Sequence, residues 1–538
     1  MTRWAMVADL NRCVGCQTCT AACKQANATA PGIQWRRVLD IEAGDYPDVR
    51  RAFVPVGCMH CEDPPCVAVC PSTATRKRDD GMVTIDYDMC IGCAYCAIAC
   101  PYQARFRIDR PSAAYGGRRM AHEFARDMPE RLGVAQKCTF CIDRVDPGRA
   151  AGLIPGETPE ATPACADACI ADALHFGDLD DPESRVSRLL AENESFVMHE
   201  ELGTGPAVHY LWGPKGAGAV DPPAHARAEP SDMGHKGVAP WHQLNWDARA
   251  AANFIFGGTG SGLLIAAAVA APGGTVPVVA TLVGLALIAL GLTCVWAEIG
   301  RPWRFLNVFR HPQTSWMSRE ALVALALFPV GFAAMLAGGG ALGVALAVAT
   351  GVLAAGFLYC QARILHAAKG IPLWRAPEVV ALIVATGLVE GAGLWLALAA
   401  LPVLALPGFA APVAAVMALL IAARFLAWRH YRGALGRRGA PTRALAALDT
   451  MAPGVTLGGH LVPLVLLALA LVWETGAPLA AALAGLGALA AGWALKFVLV
   501  TRAAYNQGFA LPRMPRRGAG TSAPGIRPGW TASERDAC

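Results

Sequence analysis

Sixteen of the 19 cysteines lie before residue 170, in four groups with short, fixed gaps. No other feature limits the fold as strongly. The groups are Cys13, Cys16, Cys19 and Cys23; Cys58, Cys61, Cys66 and Cys70, followed by Pro71; Cys90, Cys93, Cys96 and Cys100, followed by Pro101; and Cys138, Cys141, Cys165 and Cys169. At 538 residues the chain is far too long for a small disulfide scaffold. Its charge is divided as unevenly as its cysteine. Residues 1–250 carry 26 Lys and Arg against 33 Asp and Glu, a net of −7, whereas residues 251–538 carry 20 against 8, a net of +12. That second part consists largely of uncharged Ala, Leu and Val runs. Disorder, a fibre and a single soluble enzyme are excluded, and no interleaving of basic and aromatic residues supports nucleic-acid binding.

The cysteine gaps have a short-range physical meaning. Gaps of two residues let one tight loop place thiolates on neighbouring corners of an iron–sulfur cube. A gap of three opens a helix, so its cysteine points toward a second cube. Groups one and three match the bacterial ferredoxin run. Sixteen thiolates at four per cube predict four [4Fe–4S] clusters with none left over. Structural zinc, the other common use of paired Cys-x2-Cys, gives no reason for the triplet or for the Cys-Pro that follows. The stretch Met1–Asp9 has neither an apolar segment nor a cleavage site, so no export signal is expected there.

Residues 1–200 resemble the iron–sulfur subunit of the DMSO reductase and polysulfide reductase type of complex molybdoenzymes. The likeness is carried by Cys58-Met-His-Cys61-Glu-Asp-Pro-Pro-Cys66-Val-Ala-Val-Cys70-Pro71, by Cys90-Ile-Gly-Cys93-Ala-Tyr-Cys96 and by Lys137-Cys138-Thr-Phe-Cys141. The resemblance implies nested ligand sets. Cys13, Cys16, Cys19 and Cys169 would hold one cube, and Cys23, Cys138, Cys141 and Cys165 the next. Cys58, Cys61, Cys66 and Cys100 would hold a third, and Cys70, Cys90, Cys93 and Cys96 the fourth. The 23-residue gap before Cys165 is longer than the family pattern, and residues 110–136 read as an insertion.

The expected organisation is an α+β ferredoxin-like four-cluster domain over residues 1–202, a Gly/Pro/Ala-rich linker over 203–245, an all-α anchor over 246–510 and a polar basic tail over 511–538. The linker histidines His209, His225 and His235 are read as solvated. Eight apolar stretches are long enough to span a bilayer, at roughly 251–271, 276–297, 320–338, 341–361, 378–400, 411–428, 457–473 and 478–500. Basic residues crowd the loops at 298–319, 362–377 and 429–456, while the opposite loops have no Lys or Arg. The positive-inside rule and an even helix count then predict a multi-pass bacterial inner-membrane protein with its iron–sulfur domain on the cytoplasmic face. This half is similar to the membrane anchor of the same enzymes, through Asn253-Phe-Ile-Phe-Gly-Gly-Thr-Gly-Ser-Gly262, Glu298-Ile-Gly-Arg-Pro302, Ser315-Trp-Met-Ser-Arg-Glu320 and Thr501-Arg-Ala-Ala-Tyr-Asn506. Two proteins that are usually separate subunits are here expected as one chain.

An anchor of that kind exchanges electrons with a quinone, ubiquinone or menaquinone. The candidate cofactor-facing residues are Asn253, Gly257, Glu298, His311, Arg319 and Glu390. Asn253 precedes a run of small residues, Gly257, Gly258, Gly260, Ser261 and Gly262, which either packs helices closely or leaves room for a planar ring. Glu298, His311 and Arg319 flank the basic rim. Glu390 lies mid-span, where burial keeps a lone carboxyl protonated, and is a candidate for proton handling or for an interhelical hydrogen bond. Cys294 and Cys360 read as small hydrophobes. The chain itself shows no molybdopterin domain, nucleotide fold or hydrolytic site. The expected function is therefore a non-catalytic electron relay between a molybdopterin-containing catalytic subunit and the membrane quinone. The alternatives are a redox-driven ion-translocating membrane protein, which calls for several intramembrane carboxylates, and a stand-alone quinone-linked ferredoxin oxidoreductase.

Overall fold

The computed structural model describes residues 2–43, 50–111, 113–114, 117–121, 128–215, 238–271, 273–404, 406, 411–509, 511–513 and 524–526. The chain forms two compact units, one of residues 1–241 and 506–538, the other of residues 242–505.

The first unit is α+β. Its main sheet has four strands: β1 (Trp4–Asp9), β2 (Leu174–Asp178), β3 (Asn193–Phe196) and β4 (Val208–Pro214), in the order β2-β1-β4-β3. β1 runs antiparallel to β2 and parallel to β4, with Met6 opposite Phe176 on one side and Val208 on the other. The unbroken apolar run Trp-Ala-Met-Val-Ala suits a strand covered on both faces. Met6 and Ala8 enter the main core, while Val7 packs against Val186 and Leu211. The cysteines sit outside this sheet, on loops that open short helices: α1 (Thr18–Ala26), α2 (Pro65–Ala68), α3 (Tyr95–Ala99) and α4 (Ala164–Asp167). Each helix carries a motif cysteine and ends within three residues of the group's last one, as the gap of three predicts.

Two expected boundaries shift. Residues 208–214 are not linker but β4, an inner strand of the sheet, because Val208, Tyr210 and Leu211 are buried core residues. The central part of the expected linker, with His225 and His235, and most of the expected tail, with Cys538, lie outside the described residues. His209 is in β4 rather than in a solvated linker. Residues 506–510 belong with the first unit, not the anchor. Phe509 and Leu511 are buried in its core, and His199 Nε2 lies 2.9 Å from the Gly508 carbonyl. The end of the expected insertion also has a place: Ala135–Gln136 pairs with Phe106–Arg107, and the Arg131 guanidinium stacks on Trp35 and Tyr87.

The second unit is all-α, with eight helices long and apolar enough to cross a membrane: α5 (Ala248–Val269), α6 (Val278–Glu298), α7 (Trp316–Leu336), α8 (Ala341–Ala367), α9 (Glu378–Ala399), α10 (Pro412–Arg437), α11 (Thr442–Val472) and α12 (Ala477–Thr501). Six agree with the expected spans to within about a turn or two, and the sixth runs nine residues further, to Arg437. The seventh begins 15 residues earlier, at Thr442, so the expected basic loop at 429–456 is mostly helix. Arg432 on α10 pairs with Asp449 on α11 at 2.7 Å across the short connection. α5 is the most enclosed helix and packs on α6, α8, α9 and α12. Close approach explains its glycines. A Cβ on Gly391 of α9 would fall on the backbone of Gly262, and one on Gly260 would meet the Gly284 carbonyl of α6.

Phe509 tests the assignment of the returning segment. Phe509→Ala should destabilise the first unit by about 3–5 kcal/mol, as for other buried Phe truncations. Phe509→Leu should cost less than about 1.5 kcal/mol. Thermal denaturation followed by tertiary-structure signals of the first unit measures both.

Candidate functional site

In all four groups the residue just before the second cysteine is left-handed: Gly15 (φ 70°), His60 (43°), Gly92 (74°) and Phe140 (56°). Such a conformation costs about 1–2 kcal/mol for a residue with a Cβ, which is why two of the four are glycine. The third residue after the last cysteine repeats the device in three groups, at Thr73, Gln103 and Asp172. These bends turn backbone N–H groups toward sulfur. Phe140 N donates to Cys138 Sγ at 3.4 Å, Thr75 N to Cys70 Sγ at 3.4 Å and Ala173 N to Cys169 Sγ at 3.3 Å.

None of the sixteen motif cysteines is in a disulfide. Burial pushes the Cys19 thiol up to about 11, with Cys165, Cys13 and Cys169 close enough to add to the rise. Burial likewise raises Cys23, whose neighbours are Cys138, Cys165 and Cys141. It raises Cys61, beside Cys58, Cys66 and Cys100, and Cys93, beside Cys96, Cys70 and Cys90. These neighbour sets each draw on two motifs and follow the nested order that the resemblance implies. Cys165 also lies near Cys19, so it stands between two sets. Cys13, Cys16, Cys19 and Cys169 line one cavity together. Cys16 is exposed, and hydrogen bonds from Thr18 lower its thiol.

The chemistry of these sets fits iron–sulfur clusters. Buried, mutually repelling thiols ionise only when a cation compensates them. Among the described residues no three His, Cys, Asp or Glu side chains gather where a single metal ion would sit. Cys13, Cys16, Cys19 and Cys169 line a cavity, which suits a multi-atom cube. Buried cations complete the fit. Arg105 Nη2 donates to Cys66 Sγ at 3.0 Å and also acts on Cys96, Cys58 and Cys100. Arg36, 1% exposed, lies beside Cys165, Cys138 and Cys19, and its Nε and Nη1 have no hydrogen-bond partner among the described residues. Those orphaned donors match the sulfide acceptors a cluster would bring. Neither arginine was expected from sequence; the signal was a charged residue inside an apolar or cysteine-bearing stretch.

Residues 49–115, which hold groups two and three, match the 4Fe-4S dicluster domain family. The chain is 42% identical over 228 residues to the provisionally named dimethyl sulfoxide reductase iron–sulfur subunit of Halobacterium salinarum, covering 40% of this chain and 80% of that protein. It is 40% identical over 225 residues to a selenate reductase subunit of Mesobacillus selenatarsenatis, covering 39% and 72% respectively. It is 37% identical over 228 residues to the cluster-binding subunit of menaquinone reductase of Nitratidesulfovibrio vulgaris, covering 39% and 88%. The chain belongs to this family of iron–sulfur electron-transfer subunits. Here the [4Fe–4S]-binding domain continues in the same polypeptide into a multi-pass membrane anchor of eight long apolar helices.

The six membrane candidates divide between three places. Asn253 is buried, with Nδ2 3.5 Å from Glu320 Oε1, and its carbonyl accepts Gln361 Nε2 at 2.9 Å. Asn253 Oδ1 and Gln361 Oε1 have no partner among the described residues. Glu320 and Gln361 are thus site residues that the sequence reading passed over, although Glu320 ends one of its own motifs. Gly257 belongs here too, but not as an open slot: a Cβ would strike the Gln361 amide, so the small residue admits a neighbouring side chain rather than a ring. Glu298, His311 and Arg319 are elsewhere. Glu298 Oε1 accepts Asp247 N at 3.1 Å, tying the start of α5. Arg319 donates to the Pro312 and Gln313 carbonyls and lies 4.2 Å over Trp316, and His311 meets Thr314 in the same loop. Glu390 is not the lone mid-span carboxyl expected. Lys496 on α12 pairs with it at 2.6 Å, both fully buried.

Arg105 supplies a direct check on the cluster environment. Arg105→Met removes a positive charge from Cys66 Sγ at similar volume, so it should lower the midpoint potential of the cluster that Cys66 holds by several tens of millivolts. EPR-monitored redox titration measures the shift, and iron content should stay at the wild-type level.

Proposed function

We propose that the chain relays electrons between a molybdopterin-containing catalytic subunit and the membrane quinone pool through four [4Fe–4S] clusters in a ferredoxin-type arrangement. The observation that carries this reading is that the motif thiols have close neighbours from two motifs at a time, in the nested order, with Cys165 adjoining two sets. Cys13, Cys16, Cys19 and Cys169 would hold the first cluster, Cys23, Cys138, Cys141 and Cys165 the second, Cys58, Cys61, Cys66 and Cys100 the third, and Cys70, Cys90, Cys93 and Cys96 the fourth. Such clusters supply one-electron storage at potentials tuned by hydrogen bonds and nearby charge. The protein contributes the N–H donors to sulfur and the fixed charges of Arg36 and Arg105.

The catalytic partner docks at the first set. Cys16 reaches the surface there, between the exposed apolar side chains Val14 and Ile170, the latter 74% exposed. Large exposed apolar residues beside a redox centre suit a protein interface. The names of related subunits, from selenate and menaquinone reductases, support a complex of this kind. The one-sided distribution of Lys and Arg supports a bacterial inner-membrane location with the basic side of the anchor facing the cytoplasm.

At the quinone, Asn253 Nδ2 is the donor to a ring carbonyl, and the Glu320 carboxylate is the group that takes or gives the proton accompanying each electron. Gln361 holds the Asn253 backbone in place. Asn253→Leu should weaken quinone binding by roughly 1–3 kcal/mol, the cost of an unpaired buried polar group. Quinone-dependent turnover should fall while exchange with a soluble dye stays near wild type, and loss of both together with iron would make the residue structural.

Iron and labile-sulfide analysis checks the cluster count. It should return close to sixteen iron atoms per chain, all in four-iron cubes. A value near eight, or a dominant three-iron EPR signal in unoxidised protein, would refute the assignment. Molybdenum in a co-purifying large subunit identifies the partner.

A further inference from the structure

The second half of the membrane unit holds charges that neither the thiol sets nor the Asn253 cluster uses. Lys496 Nζ and Glu390 Oε2 are 2.6 Å apart, and both residues have 0% exposed side chains. Thr259 Oγ1 on α5 lies 3.0 Å from the same carboxylate oxygen and 2.8 Å from the Ile255 carbonyl, the two acceptors that share its proton, and it accepts Trp493 Nε1 at 2.9 Å. The other oxygen, Glu390 Oε1, is buried without a hydrogen-bond partner among the described residues. Arg424 on α10, 1% exposed, acts electrostatically on both members of the pair. Its Nη1 donates to the Ala488 carbonyl at 2.7 Å, its Nη2 to that of Gly459, and its Nε to His460 Nε2 at 3.2 Å. His460 lies in a π-helical segment of α11, Leu457–Leu461, and its Nδ1 is 2.7 Å from the Val455 carbonyl. With Nδ1–H donating there, Nε2 is the acceptor for Arg424 and the imidazole is neutral.

Holding helices together does not require these charges. α5 and α9 already touch backbone to backbone at Gly262 and Gly391, as do α9 and α12 at Gly393 and Gly485. Apolar side chains would fill the remaining volume without desolvating ions, and intramembrane ionisable groups as a class mark ion or proton routes. Position links this cluster to the other one. Asn253 and Thr259 lie on the same helix, six residues or ~9 Å apart along its axis. Consecutive glycines there seat the two systems: Gly257 meets the Gln361 amide and Gly258 the Lys496 ammonium.

We propose that the Glu390–Lys496 pair is a proton-loading site, so that this chain moves protons through the membrane unit as well as electrons to quinone. A proton entering from water binds the carboxylate at its unpartnered oxygen, giving the neutral acid and freeing Lys496 from its counterion. Release of the same proton past Arg424 and His460 restores the pair. One proton enters and one leaves, and the pair itself exchanges no electron. The inference rests on the quinone reaction proposed above, which supplies the driving energy.

The test uses the intact complex reconstituted in phospholipid vesicles that contain a lipid-soluble quinone, with a pH-sensitive dye in the lumen and reduced viologen as external donor. Wild type should change the lumen pH as electrons reach quinone, and an uncoupler should abolish the change. The double variant Glu390→Gln/Lys496→Met removes both charges, leaves no ion unpaired and should therefore assemble. It should cut the lumen pH change per electron at least fivefold, with viologen-to-quinone electron transfer within twofold of wild type. Thr259→Val, which keeps both charges, should cut it at least twofold and keeps the proposal testable if the double variant fails to assemble. Lumen pH changes of wild-type size per electron in either variant overturn the proposal. So does a wild type that reduces quinone without changing lumen pH, and that result leaves the quinone reading intact. A wild type that passes no electrons to quinone overturns both.

Discussion

Buried sulfur sets the terms for the first unit. Sixteen thiols are gathered on short loops and helices, most of them out of contact with water, and every neighbour set repels itself once ionised. Three features of the chain answer that cost. Left-handed residues bend each Cys-x2-Cys loop, the guanidinium groups of Arg36 and Arg105 are buried beside the thiols, and a cavity is left between Cys13, Cys16, Cys19 and Cys169. The four-stranded sheet is the frame that holds these loops in register, and its strands come from both ends of the unit. Folding and cluster binding are coupled in such an arrangement, because metal-bound thiolates are part of the core itself.

What could be read from the sequence followed from the range of each interaction. The cysteine gaps act over a few residues, so the short helices they open agree with local reasoning. The eight apolar spans are equally legible, because a bilayer imposes length and composition on each helix alone. Contacts between distant segments were not. β4 looked like linker because its seven residues mix Gly and Pro with aromatics, and only pairing with β1, some 200 residues away in sequence, makes it an inner strand. Phe509 looked like the end of the anchor, and α11 was read from its hydrophobic half alone, since Arg443 and Asp449 masked its first turns.

The site residues divide in the same way. All sixteen cysteines could be named, yet Arg36 and Arg105 gain meaning only when folding puts them against thiols from other motifs. In the membrane unit Asn253 was recognisable from its motif. Its partners Glu320 and Gln361 stand 67 and 108 residues further along. Lys496 sits in an apolar run near the end of α12, where a single lysine reads as an interfacial anchor until Glu390 is placed beside it.

Energetics separates the two roles of the membrane helices. A charge at mid-bilayer costs roughly 2.5–3.5 kcal/mol on insertion scales, whereas a glycine contact that lets two backbones touch costs little beyond chain entropy. α5 makes both kinds of contact. Gly260 and Gly262 let α6 and α9 approach backbone to backbone, while the consecutive Gly257 and Gly258 leave room for Gln361 of α8 and Lys496 of α12. The helix is packed on four neighbours. Thr259 lies further along the same helix, its Oγ1 3.0 Å from Glu390 Oε2 and 2.8 Å from the Ile255 carbonyl. α5 therefore contributes a residue to the Asn253–Glu320 cluster and another to the surroundings of the Glu390–Lys496 pair.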